Sequence, residues 1–234
     1  VESIPTMIGD FMWTGWDYLG ESGIGVVRYI DRKTKRDTEP GLIISGGPGI
    51  IDICGKMRPE VGWSRLIWGL QRGPVIGVCP YTHAGEFSTK RIWRAVDTVE
   101  SWSWEGCEGK KSDIYLYTDA PKAELLINGK SQGIQKTKEY TAMFRKVAYE
   151  PGAVEAIARD ESGRELSRTA LRTGAGKARI SLSAETDELR ANGQNLCFLN
   201  IALTGEDGTV ISHCDRKLTI EDSGAGTLQA YGSA

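Results

Sequence analysis

The chain has 234 residues, with 29 Lys plus Arg against 31 Asp plus Glu and a formal charge of −2. Mixed signs at near-neutral charge give no basic face for phosphate, which argues against a nucleic-acid binder, and the longest apolar runs, such as residues 41–45 and 125–127, fall far short of the ~20 residues a helical membrane span needs. Glycine, at 29 of 234 residues, is well above ordinary usage, and Val, Ile, Thr and Tyr are plentiful, a mix that favours turns and strands over helices.

In chain order, residues 8–14 read as a short apolar strand broken at Gly15. A loop from about residue 20 to 49 follows; its charged run, Asp31-Arg32-Lys33-Thr34-Lys35-Arg36-Asp37, is the composition of a solvated loop tip. Val61, Trp63, Leu66, Ile67 and Leu70 recur at helical spacing behind Pro59, which suits a first helical turn, and Gly73-Pro74 closes the pattern.

From residue 74 to 174 the pattern changes to strands divided by turn signals. Residues 113–118 alternate, with Ile114 and Leu116 on one face; residues 123–127 and 131–135 flank the hairpin signal Asn128-Gly129. Further strands are expected at 141–149, 154–159 and 165–172. Strands every 8 to 12 residues without a crossover helix define an immunoglobulin-like β-sandwich. Trp93, Trp102 and Trp104 just upstream suit its core, with a sugar-stacking platform as the alternative. Residues 178–184, 197–204 and 217–221 then read as strands of a second sandwich, with a hairpin turn at Glu206-Asp207-Gly208. Some 58 residues are too few for such a domain, which usually takes ~100, so its last strands are expected to be missing.

Complete catalytic motifs are absent from the sequence: it holds no metal-protease, phosphate-loop or nucleophile-elbow pattern, and Pro48 removes an amide from the Gly46-Gly47-Pro48-Gly49 run. Two His and five scattered Cys without a C-x-x-C pair give no zinc site, and the cysteines read as buried free thiols. No cofactor or metal is expected. Chemistry concentrates in residues 9–21, where Phe11, Met12, Trp13, Trp16 and Tyr18 accompany Asp10, Asp17 and Glu21. An aromatic ring at a strand end offers a flat apolar face to a sugar, and a neighbouring carboxylate accepts hydroxyls or holds the ring; an aromatic core strand is the alternative.

Four segments together resemble one family. Gly9-Asp10-Phe11-Met12-Trp13-Thr14-Gly15-Trp16-Asp17-Tyr18-Leu19-Gly20-Glu21 resembles the last barrel strand and following loop of glycoside hydrolase family 2 enzymes, especially β-galactosidases. Gly49-Ile50-Ile51-Asp52-Ile53-Cys54-Gly55 and the helix after it resemble the closing segment of that barrel. Ala123-Glu124-Leu125-Leu126-Ile127-Asn128-Gly129-Lys130-Ser131-Gln132-Gly133 is similar to a hairpin of the sandwich behind the barrel, and Ala191-Asn192-Gly193-Gln194-Asn195-Leu196-Cys197-Phe198 to an additional immunoglobulin-like domain of longer members.

The resemblance implies a mainly β chain: tandem immunoglobulin-like β-sandwiches (74–174 and 175–234) preceded by the last strand and helix of a (β/α)8 barrel (1–73). It implies Trp13 as a wall of the sugar subsite, with Asp17 and Tyr18 beside it as substrate-binding residues. The family's two catalytic glutamates would lie upstream of Val1, so this chain has no catalytic residue of its own and is expected to be inactive alone. Val1 follows no initiator Met and no leader pattern, so the start reads as internal to a longer chain and the compartment stays open. The implied partners are a β-galactoside or related sugar in the parent, the rest of the barrel and, as one way of covering the apolar segment, a second copy; neither nucleic acid nor a membrane is among them. A non-catalytic carbohydrate-binding or spacer sandwich is the competing reading.

Overall fold

Alternation of apolar and polar residues, which puts every second side chain on one face of a strand, organises most of this molecule. The computed structural model describes residues 4–89, 93–94, 96–214 and 216–232. In chain order the elements are β1 (Tyr29–Ile30), α1 (Pro59–Ile67), β2 (Val75–Val78), β3 (Phe87–Ser88), β4 (Lys111–Tyr117), β5 (Lys122–Ile127), β6 (Lys130–Lys136), β7 (Thr141–Ala148), β8 (Ala153–Arg159), β9 (Glu165–Arg172), β10 (Arg179–Ala184) and β11 (Leu199–Thr204).

Seven strands form the sandwich. One sheet runs β2-β4-β7 and the other β6-β5-β8-β9, all antiparallel. Register places the apolar members of each strand opposite one another: Ile76 faces Leu116, Leu116 faces Ala142, and Ile114 faces Phe144, while across the second sheet Leu125 faces Ala156 and Ile127 faces Val154. These side chains form one buried cluster. The β5–β6 hairpin turns at Asn128 and Gly129, with φ of 48° and 76°. Two consecutive left-handed residues match the twist of the flanking strands, which is why Asn-Gly marks this turn in sequence.

Trp102 is completely buried and Trp104 nearly so; their indole N–H groups donate to Glu150 O and Ser101 O. Tyr81 packs against both rings and Tyr149 against that of Trp102, and Tyr149 Oη also joins Thr173 Oγ1 at 3.2 Å. Both tryptophans are core, as composition favoured, and neither offers a face to a sugar. Trp93 alone of the three is exposed.

Helix α1 lies on the outer face of the β2-β4-β7 sheet. Leu66 packs with Val75 and Tyr117, joined by Trp63 and Tyr115; Tyr115 and Tyr117 alternate along β4 with the inward Ile114 and Leu116. Gly62 allows the approach, since a Cβ there would sit 2.7 Å from Val75. The helix stops earlier than Gly73-Pro74 suggests. Gly69, at φ 66°, donates to Leu66 O at 3.1 Å, and Leu70 N–H reaches back to Arg65 O at 2.8 Å. This paired closure satisfies two end carbonyls and requires a residue at ease in the left-handed region.

Two expected strands are absent. Residues 8–12 are irregular, residues 13 and 14 form a turn, and none belongs to a strand; contact with the later segment begins at Thr14, whose carbonyl accepts the Ile50 amide, and continues in the isolated parallel bridge Trp16–Ile51. Residues 217–221 are irregular and exposed. A strand exists only where a neighbour supplies its hydrogen bonds, and alternation cannot guarantee one. Of the expected second sandwich, the described residues contain one hairpin, β10–β11. Ile180, Leu182 and Ala184 on its one face oppose Leu203, Ile201 and Leu199.

Candidate functional site

Residues 13–21 are positioned by the glycine run that follows the long loop. Ile51 N–H donates to Gly15 O at 2.9 Å, and Asp17 N–H donates to Ile51 O at 2.8 Å. The two backbones come so close that a Cβ on Gly49 would fall 2.3 Å from Asp17 N, and one on Gly46 would meet the Tyr18 ring at 2.8 Å. The glycines of Gly46-Gly47-Pro48-Gly49 therefore serve close packing, and no phosphate need be invoked for them.

Asp17 is buried; one carboxylate oxygen accepts the amides of Tyr18 at 2.9 Å and Gly47 at 2.8 Å. It staples the two segments from inside. Trp13 and Tyr18 are brought together: the indole N–H donates to Tyr18 Oη at 3.0 Å, with ring centroids 5.9 Å apart and planes at 75°. Tyr18 in turn donates to the Glu21 carboxylate. That hydrogen bond, with lesser help from burial and from the charges of Glu21 and Asp17, pushes the Tyr18 phenol above its ordinary pKa. The Trp13 ring is 53% exposed, and the Trp13–Thr14 peptide is cis. Phe11, at 97%, and Trp16, at 57%, also stand outward, as do Ile8, Met12 and Leu19.

The charged loop is solvated at its tip and firmly held at its base. Arg28 pairs with Asp37 at 2.6 Å, Tyr29 donates to Asp97 at 2.8 Å, and the Tyr29 ring stacks on His83 at 3.7 Å. Burial, then the Asp97 charge, pushes the Tyr29 phenol far up. Arg32 and Lys35 lie over the Phe87 ring.

Among the described residues no group of three His, Cys, Asp or Glu side chains could hold a metal ion, and no helix is long and apolar enough to cross a membrane. The cysteines are unpaired, as expected, but only Cys107 is fully buried and Cys54 is exposed. Burial pushes the Cys79 thiol up to about 12, which leaves it unreactive. Two surface clefts, of about 530 Å³ beside Trp104 and Lys177 and about 600 Å³ beside Arg72 and Arg168, include none of residues 13–21.

Glu21 stands out in sequence together with Asp10 and Asp17, but its pairing with Tyr18 is not read from the sequence. Its signal was the Tyr-x-x-Glu spacing, meaningful only because Gly20, Glu21 and Ser22 all take positive φ and turn the carboxylate back on Tyr18.

With this geometry in hand, known proteins place the chain. The model for Domain of unknown function (DUF4982) matches residues 109–167, within the sandwich. The chain is 27% identical over 223 residues to the β-galactosidase BoGH2A of Bacteroides ovatus, covering 94% of this chain and 22% of that protein. A solved glycosyl hydrolase family 2 member from Bacteroides cellulosilyticus superposes with a TM-score of 0.68 at 28% identity, covering 87% of this chain and 26% of that one. A second, from strain DSM 14838 of that species, gives 0.56 at 26% identity, covering 69% and 22%. The chain is thus homologous to members of glycoside hydrolase family 2, and shares their mainly β, antiparallel architecture. It spans only about a quarter of the length of these relatives.

Proposed function

We propose that the chain is the C-terminal portion of a retaining β-glycosidase, with β-galactosides as the substrate class of the parent. The observation that carries the reading is the similarity, along nearly the whole chain, to a protein named a β-galactosidase. The outward Phe11, Trp13 and Trp16 add support, since they are unlike a finished core. Residues 1–73 are the end of the catalytic barrel, 74–174 a bracing sandwich and 175–234 part of a second one. Trp13 forms a wall of the sugar subsite; Tyr18 and Asp17 hold that wall in shape. The double displacement uses two carboxyl groups ~5–5.5 Å apart, both on parts of the parent outside this chain. The sugar and the rest of the barrel are its partners, and a second copy is a further way to cover the apolar segment.

The test is to express the longer protein that contains this chain and assay aryl β-galactosides, β-glucosides and β-glucuronides. Galactoside turnover by the longer protein, none by the 234 residues alone, and a KM raised about tenfold by Trp13→Ala are expected, the size of a stacking contact in a desolvated site. Turnover by the isolated chain would overturn the reading, as would a longer protein inactive on every β-glycoside.

A further inference from the structure

Resting on the reading of Trp13 as a subsite wall, we propose that Glu21 is a positioning residue: through Tyr18 it fixes the Trp13 indole so that the ring offers a sugar its face and not its N–H.

The direction of the hydrogen-bond chain follows from the chemistry of the three groups. An indole has one N–H and no acceptor; an ionised carboxylate only accepts; a phenol does both. Trp13 Nε1 therefore donates to Tyr18 Oη, and Tyr18 passes its own proton towards Glu21. Trp13 is half-exposed, and with its single donor committed the indole is left to meet a ligand through its π face, which favours the C–H side of a pyranose over a hydroxyl.

The backbone is bent to build this chain. Gly20 at φ 115° leads into Glu21 at 54° and Ser22 at 47°, and two successive left-handed residues other than glycine are rare. Gly20 N–H to Ile44 O at 2.6 Å and Gly23 N–H to Ser45 O at 2.9 Å hold the bend on both sides. The Tyr18 ring lies close against Gly46, where a Cβ would fall 2.8 Å from it, so one side of the phenol is backed by the glycine segment. With these bonds on both sides, the bend keeps the Glu21 carboxylate turned back on Tyr18.

The seven tryptophan indoles make the test direct. A ¹H–¹⁵N spectrum of the indole-labelled chain is recorded, and the Trp13 signal is identified by its loss in Trp13→Phe. Tyr18→Phe and Glu21→Ala are expected to move that signal upfield and to speed its exchange with water by about fivefold, the worth of one net hydrogen bond. Glu21→Gln, which retains an acceptor, should keep most of the wild-type shift. The Trp102 and Trp104 signals serve as the folding control. A Trp13 signal that exchanges like a free indole in the wild type, or that is unmoved by both variants, would overturn the relay.

Kinetics in the longer protein separate this from the functional reading. If the relay holds, Glu21→Ala should raise KM about threefold with kcat little changed, and Glu21→Gln should restore it. A normal spectrum response with a KM indifferent to Trp13→Ala would leave the relay standing and remove the sugar subsite instead. A KM that responds to Trp13→Ala but not to Glu21→Ala would retain the subsite and overturn the positioning role.

Discussion

Residues 75–172 and residues 4–57 are both rich in large apolar side chains, yet they use them in opposite ways. In the sandwich, inward side chains of β4, β5, β7 and β8 share one buried cluster drawn from both sheets, and Trp102 disappears entirely. In the first segment Ile8, Phe11, Trp16, Leu42 and Ile44 face outward, and the backbone of residues 8–13 has no ladder partner. What holds that segment is polar: amide staples to Asp17, close glycine contacts and backbone bonds between 14–25 and 44–51. Apolar content is therefore no measure of a core; pairing within the chain is. Large exposed apolar patches are often contact surfaces, which agrees with the proposal that the rest of a barrel covers these side chains.

The sharpest way to break the comparison is to remove one large side chain from each region. Trp102→Ala should cost ~3–5 kcal/mol in denaturant unfolding, because the cavity cannot refill. Phe11→Ser should cost less than about 0.5 kcal/mol in the same chain. Equal costs would mean that the first segment has a core of its own.

The glycine contacts give the next test. Gly49→Ala, which drives a Cβ into the Asp17 backbone, should cost about 1–3 kcal/mol locally and free the Asp17 and Ile51 amides to exchange. Gly15→Ala, with open space around it, should leave both amides protected.

Two carboxyl groups extend the comparison to pH. Burial alone would raise the Glu124 pKa, but hydrogen bonds from Ser131 and Arg159, with the Arg159 charge, hold it below the usual range. Its ionised form thus stabilises the sandwich above the unfolded value of ~4.3, and that stability is lost as pH falls through the depressed folded value. Glu124→Gln should cost ~1–2 kcal/mol at pH 7 and little in acid. Glu60, at the start of α1, behaves oppositely. Burial raises its pKa despite the Thr98 hydroxyl on one oxygen; its other oxygen is buried without a partner. Ionising it opposes folding, so Glu60→Gln should gain on the wild type as pH rises from about 4 to 7. Urea midpoints across that range check both signs.

How much the sequence revealed follows the same division. The strands β4 to β9 were legible because alternation, Asn128-Gly129 and Pro151-Gly152 act locally and agree with one another. Residues 217–221 alternated no worse, but nothing pairs with them among the described residues. Helix α1 was legible in its face and its Pro59 start; its end was not, because Gly69 reads as helix interior until the carbonyls it closes are seen. The Trp13–Tyr18 contact grew from a segment whose aromatic density was plain. The use of Glu21 was hidden because it depends on the positive φ of residues 20–22, and the duty of Gly46 and Gly49 because it depends on two chain segments lying within van der Waals distance. Trp102 and Trp104 looked like core or platform in sequence, and only their burial decided between the two.

The most direct measurement is amide hydrogen exchange on this chain and on the longer protein that contains it. In the chain alone, β5 and β8 should be protected to the level of global unfolding, while Ile8, Gly9, Met12 and Trp13 exchange at nearly free rates. If the proposed barrel is completed in a longer protein, those four amides should become protected there, as strand neighbours take up their hydrogen bonds. Full protection of residues 8–13 already in the 234-residue chain, or none in the longer protein, would contradict a segment made to be completed from outside.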